Sequence, residues 1–232
     1  MIDLPNYAKY SQKYLDAVPF PHVVIDNFLT ADVASKIETS ISNLPSDCWQ
    51  RMDHAAQRNK LWLSDIQKMP EEVKQVVEFF HSKPSLEWLQ KVTRIPELHP
   101  DPELLGGGIH CTLEHGQLGI HTDFNWHPTL KKHRRLNLLL FLSEKWSAAD
   151  GGVLEFWHRD MTSPVVSYVP EAGRLVLFAT SEHSYHGHPM PVASGRKRLS
   201  ISLYFYADTP PEGELLPPHW ASWKRRPGET MF

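Results

Sequence analysis

Cysteine is scarce in this chain: Cys48 and Cys111 are the only two among 232 residues, and neither sits in a CxxC or other metal-type spacing. That excludes a disulfide framework and a thiolate zinc site, and it suits a reducing, cytoplasmic compartment. Long apolar runs are missing as well, since nothing approaches the ~18 consecutive apolar residues of a membrane helix. The stretch from Met1 to Val18 carries Asp3, Lys9, Lys13 and Asp16 where an export signal would have an apolar segment. An unexported protein with no membrane partner is expected. Charge of one sign is lacking too: 24 Lys and Arg stand against 27 Asp and Glu, a net charge of -3. No basic field is available for nucleic acid, and none is expected as a partner. With no internal repeat, low-complexity tract or linker, residues 1–232 are expected to form a single domain.

What is present points elsewhere. Hydrophobic residues make up 41% of the chain, enough for a substantial core, and 14 histidines, many of them between His110 and His188, direct attention to metals. Residues 19–29 read as a short strand. Thr30 then offers a hydroxyl cap to a helix with Val33, Ile37 and Ile41 on one face. Val73, Val76, Val77 and Phe80 again have helical period behind Pro70, Glu71 and Glu72, and Ser85 is placed to cap a further helix carrying Leu86, Leu89 and Val92. Residues 1–104 thus read as a helical flank with a short strand.

From 105 the texture changes to short β-prone runs separated by Gly, Pro and Asp, at about 109–114, 118–122, 134–143, 153–157, 165–169, 173–179, 184–188 and 197–206. Eight such runs match a double-sheet jelly roll. The fold class expected is mainly β with flanking helices around a jelly-roll, cupin-like core over 105–207. The tail, 208–232, holds Pro210, Pro211, Pro217, Pro218 and Pro227 and reads as an irregular arm packed down by Trp220 and Trp223.

The chemistry concentrates in two segments. In GIHTDFN, His121 and Asp123 are two residues apart, so an extended strand projects both from one face, where an imidazole and a carboxylate can share a cation. A second imidazole must come from a distant strand, and SYHGHP offers His183, His186 and His188; spacing alone does not separate His186 from His188. In RKRLSISLYFY, alternation puts Arg198, Ser200, Ser202 and Tyr204 on one strand face, with Leu199, Ile201, Leu203 and Phe205 on the other. A guanidinium with a hydroxyl two residues on suits the carboxylate of a small diacid.

Together HTDFN, RRLNLLLFLSEKW, GGVLEFW, SYHGHPMP and RKRLSISLYFY resemble the 2-oxoglutarate and iron(II)-dependent oxygenases, in their prolyl 4-hydroxylase-like branch, over about residues 105–207. The resemblance implies a double-stranded β-helix with Fe(II) held by His121, Asp123 and His186. It implies 2-oxoglutarate as co-substrate, held at its distal carboxylate by Arg198, with Arg196 as runner-up. Ser200 and Asn137 are its implied polar neighbours, and Phe141 stands where some relatives have a Tyr. With O2, a small-molecule or peptidyl substrate would be hydroxylated while succinate and carbon dioxide are released. The carboxylate of Asp123 is kept, which favours hydroxylation over halogenation. Phe124, Asn125 and Trp126 are expected at the mouth beside the substrate, Trp126 equally as a packing residue, and Arg134 and Arg135 as strand-end charges. Two readings compete: a cupin-like metal-dependent isomerase, which would not need Arg198 and Ser200 as an inward pair, and a non-catalytic β-sandwich ligand-binding module, which would use the aromatics without metal.

Overall fold

In the computed structural model, which describes residues 2–229, the chain runs α1 (Ala8–Asp16), β1 (His22–Ile25), α2 (Ala31–Ser42), β2 (Gln50–His54), β3 (Gln57–Leu63), α3 (Glu71–His81) and α4 (Lys83–Thr93). It continues through β4 (His99–Pro100), β5 (Gly108–Thr122), β6 (Trp126–His127), β7 (Lys132–Phe141), β8 (Leu154–Trp157), β9 (Pro164–Tyr168), β10 (Leu175–Ala179), β11 (His186–His188), β12 (Arg198–Ala207) and β13 (Ser222–Lys224). All strand pairs are antiparallel, and the sheet follows the order β1-β10-β7-β12-β5-β11-β8-β9. The sheet curls because β5 serves both of its halves. Residues 108–112 pair with β12, whereas 118–121 pair with β11. This is the mainly β, jelly-roll architecture expected.

The helices form because their caps and apolar faces agree. Thr30 accepts from the Val33 amide at the start of α2, and Glu71 and Glu72 meet the positive end of α3. For α4 the cap is Ser82 rather than the Ser85 expected. Pro84 fits the first turn, so the helix begins earlier and Ser85 is buried within it. Val73, Val76, Val77 and Phe80 of α3 and Leu89 and Val92 of α4 pack on Leu136, Leu138 and Leu140 of β7 and on Leu199, Ile201, Leu203 and Phe205 of β12. Each such side chain contributes about 1.5–3 kcal/mol through burial. Behind the cavity end of the sheet, Phe20, Phe141, Leu154, Phe156, Val176 and Phe178 form a second apolar cluster.

Two regions depart from the expectation. Residues 50–63, read as part of a helical flank, form the β2–β3 hairpin, and β3 adds to the edge of β5. Within the supposedly irregular arm, β13 pairs with β5, Ser222 with Thr122 and Trp223 with His121. Residues 109–114 and 118–122, expected as two strands, are one bent strand. No helix among the described residues is long and apolar enough to cross a membrane.

Candidate metal centre

β5 ends at Thr122, delivering His121 from its last turn of pleat and Asp123 immediately after it. On the antiparallel neighbour β11, His186 is the residue directly opposite His121. Gly187 makes that register possible, because a Cβ there would lie 2.6 Å from the Gly119 carbonyl oxygen. His188, beyond an irregularity in the pairing, lies opposite Leu118 with its Nε2 3.5 Å from the Thr112 hydroxyl, and it is His186 that clusters with His121 and Asp123. His183 does not join the group.

His121, Asp123 and His186 offer three ligand atoms that all lie within 4.8 Å of one another. The imidazole rings are 4.5 Å apart, with Nε2 of His121 3.7 Å and Nε2 of His186 3.6 Å from the Asp123 carboxylate. Each ring donates from Nδ1 to a backbone carbonyl, His121 to Gly119 at 3.0 Å and His186 to Ser184 at 2.8 Å. Nδ1 therefore carries the proton in the neutral rings, and both Nε2 lone pairs face the carboxylate. Burial pushes His186 down to about 4, so it stays neutral. Burial would raise Asp123, but Arg134, then His186 and His121, hold it well below the usual carboxylate range. Two lone pairs and an anion aimed at one another call for a cation between them, and a two-histidine, one-carboxylate set with open positions fits ferrous iron.

The carboxylate is buttressed from β7. Asn137 donates Nδ2 to Asp123 Oδ2 at 2.7 Å and accepts from Arg134 Nε at 2.9 Å, while Arg134 Nη2 lies 3.2 Å from the same carboxylate oxygen. The Arg134 guanidinium is 3.5 Å from the Tyr204 ring centroid and 4.5 Å from that of Phe124. Arg134 is thus no strand-end charge but a buried part of the site, and the amide of Asn137, expected beside the co-substrate, is committed to Asp123 and Arg134. Arg135 does lie outward, on Thr209.

A cavity of about 250 Å³ opens beside these residues, lined among others by Arg198, Ser200, Ser202, Tyr204 and Phe124. Arg198 donates Nε to the Gly152 carbonyl at 2.7 Å and stacks over Phe141. Gly152 is required there: its φ is +59° and a Cβ would sit 2.8 Å from the arginine Cδ. Burial alone pulls the Arg198 guanidinium below its ordinary range, and no carboxylate among the described residues pairs with it. Arg196 lies outside the cavity, over Trp146 and 3.0 Å from Asp150.

At the mouth, Phe124 lines the cavity. Asn125 instead clamps the arm, donating to the Pro217 carbonyl and accepting from the His219 amide. Trp126 packs edge-on against His133 and does not reach the cavity. Sequence reasoning missed Lys60 and Trp62 of β3, which line the cavity, and Trp223, which lies 4.9 Å from the His121 ring. The short β-prone run Leu61-Trp62-Leu63 was the only signal for β3.

Comparison with known proteins meets this geometry. The sequence pattern of the 2OG-Fe(II) oxygenase superfamily matches residues 107–206, which contain all three clustered side chains and Arg198. Over these residues the chain is similar to the 2OG-Fe(II) oxygenase superfamily. Among curated relatives, the chain is 28% identical over 223 residues to "Prolyl 3-hydroxylase OGFOD1" of Xenopus laevis, covering 91% of this chain and 40% of the relative. It is 27% identical to the Mus musculus protein of the same name, over 83% of this chain and 34% of the relative. The chain therefore spans less than half the length of these relatives. In fold it is similar to a Trichoplax adhaerens prolyl hydroxylase solved with a hypoxia inducible factor peptide fragment, at TM-score 0.64 and 17% identity over 86% of this chain and 88% of that one. A Pseudomonas putida prolyl-4-hydroxylase gives TM-score 0.59 and 18% identity over 88% of this chain and 100% of that one. The similarity over 107–206 and the His-Asp-His cluster favour the oxygenase reading over the isomerase and the non-catalytic binding module.

Proposed function

We propose that this chain is an Fe(II)- and 2-oxoglutarate-dependent hydroxylase acting on a prolyl side chain within a peptide. The observation that carries the chemistry is the pair of Nε2 lone pairs facing the Asp123 carboxylate in the same cavity as a buried guanidinium without an anion. His121, Asp123 and His186 would hold Fe(II), which supplies oxygen activation coupled to oxidative decarboxylation of 2-oxoglutarate to succinate and carbon dioxide. Arg198 takes the distal carboxylate of the co-substrate, with Ser200 beside it donating from its hydroxyl. Asn137 and Arg134 keep Asp123 ionised and oriented, and Phe124, Tyr204 and Trp223 wall the cavity against water.

The peptidyl prolyl substrate is supported by the printed activity of the curated relatives and by the peptide complex of the structural neighbour. The free thiols of Cys48 and Cys111 support a reducing compartment such as the cytoplasm. The flank, core and arm are read as one unit because α3 and α4 share a core with β7 and β12.

Anaerobically reconstituted protein should bind Fe(II) stoichiometrically. On adding oxygen, 2-oxoglutarate and prolyl peptides, it should form succinate in step with a one-oxygen gain in peptide mass. Absence of metal binding would overturn the oxygenase reading. Metal binding with succinate coupled only to a free amino acid, sugar or other small molecule would overturn the peptidyl substrate alone.

A further inference from the structure

The cavity holds a cation that the reading above does not use. Lys60 of β3 pairs in register with Thr112 of β5, and Thr112 pairs on its other side with Arg198 of β12. The three residues form one row across three adjacent strands, and all three line the cavity. Two strand spacings put the backbones of Lys60 and Arg198 roughly 9–10 Å apart, a gap that two long side chains close around one small anion. Thr112 between them carries a hydroxyl, with Nε2 of His188 3.5 Å from it. The other ring nitrogen of His188, Nδ1, is buried without a partner.

The charges in this row are unbalanced. Asp123, the carboxylate lining the same cavity, is already engaged by Arg134 and Asn137, and no ion pair of Lys60 or Arg198 occurs among the described residues. Burial, and after it the repulsion of Arg198, push the Lys60 ammonium down to about 8; the attraction of Asp123 is the smaller effect. Two cations in one row that line the same cavity, neither with a carboxylate partner among the described residues, make a site shaped for an anion.

We propose that Lys60 is the second cation of the co-substrate pocket, sharing the distal carboxylate of 2-oxoglutarate with Arg198 across Thr112. This rests on the 2-oxoglutarate reading and adds to it a residue from outside the region matched by the superfamily pattern. The siting follows from the repulsion: the anion that relieves it best lies between Lys60 and Arg198, and an anion at the mouth would leave it in place. One carboxylate then receives a guanidinium and an ammonium, with the hydroxyls of Thr112 and Ser200 beside them, donors of the kind that discriminate a diacid from a monoacid.

The test is calorimetric titration of the Fe(II)-loaded full chain under anaerobic conditions, with 2-oxoglutarate and with 2-oxopentanoate, which lacks the distal carboxylate. Lys60→Met should weaken 2-oxoglutarate binding by about ten- to hundredfold, the loss of one charge-assisted hydrogen bond, and leave 2-oxopentanoate binding unchanged. Lys60→Arg should restore most of the loss, and circular dichroism establishes that both variants are folded. Unchanged 2-oxoglutarate affinity in Lys60→Met overturns the proposal and, if the KM of the peptide rises instead, moves Lys60 to the substrate. Equal weakening of both ligands overturns it as well, by showing that Lys60 acts on the fold or the metal. A wild-type chain that binds neither oxo acid sinks the oxygenase reading itself, a result separable from the other two.

Discussion

Strand β12 has two faces that are equally hidden from solvent and entirely unlike in what they contact. Towards the helices, Leu199, Ile201, Leu203 and Phe205 are packed among Val73, Val77, Leu89 and the leucines of β7. Towards the cavity, Arg198, Ser200, Ser202 and Tyr204 are 8% exposed or less, yet Arg198 has no carboxylate partner among the described residues. Burial does not distinguish a core from a site. The kind of partner does: the helix face meets apolar side chains, whereas the cavity face carries a guanidinium and hydroxyls beside the His121, Asp123 and His186 cluster. The same alternation that stabilises the barrel on one side therefore sets the price of its function on the other.

The comparison can be broken most severely at the carboxylate. Asp123→Ala removes the anion that both imidazoles face, and succinate formation, measured under oxygen with 2-oxoglutarate, should fall to background; near-normal turnover would remove this residue from the metal site. On the opposite face, Ile201→Ala should cost about 2–5 kcal/mol of stability through the cavity it leaves. Denaturant unfolding measures that cost, and turnover per folded molecule should persist. If both face variants lose activity in parallel with stability, the division between the faces fails. Asn137→Ala is a gentler probe, since it removes the donor to Asp123 without touching a ligand. A loss of about ten- to hundredfold in Fe(II) affinity is expected, read by competition with a chelator, with little change in the unfolding midpoint. The smallest effect belongs to the mouth. Trp126→Ala should leave the peptide KM within about twofold, because contacts remote from a site shift free energies by only ~0.5 kcal/mol, whereas Phe124→Ala should raise it; equal effects would put Trp126 in the cavity.

The legible parts of this molecule are those where one period dominates. The two-residue alternation of RLSISLYFY assigns every side chain of β12 to a face, and the same rule brings His121 and Asp123 together. Arg134 was not legible, because a charged pair ahead of LNLLLFL looks like the solvated start of a strand; an irregularity in the pairing of β7 with β12 falls at this position, and Asp123, Tyr204 and Phe124 meet the guanidinium from other segments. The β2–β3 hairpin was hidden for a related reason. Its residues QRMDH are exposed throughout and QRNKLWL is half-buried at best before Leu63, so no apolar stripe announces either strand. His186 and His188 could not be told apart by spacing because the pairing irregularity that separates them depends on the neighbouring strand. In the tail, prolines mask a three-residue strand that forms only because β5 offers it an edge.

That last strand makes the arm a handle on His121. Lys224, Trp223 and Ser222 are laddered onto Ile120, His121 and Thr122, while Asn125 pins the segment around Pro217 and His219 just ahead of them. A pull or a twist applied to the chain beyond Lys224 is transmitted through three main-chain rungs to the strand that carries the first histidine.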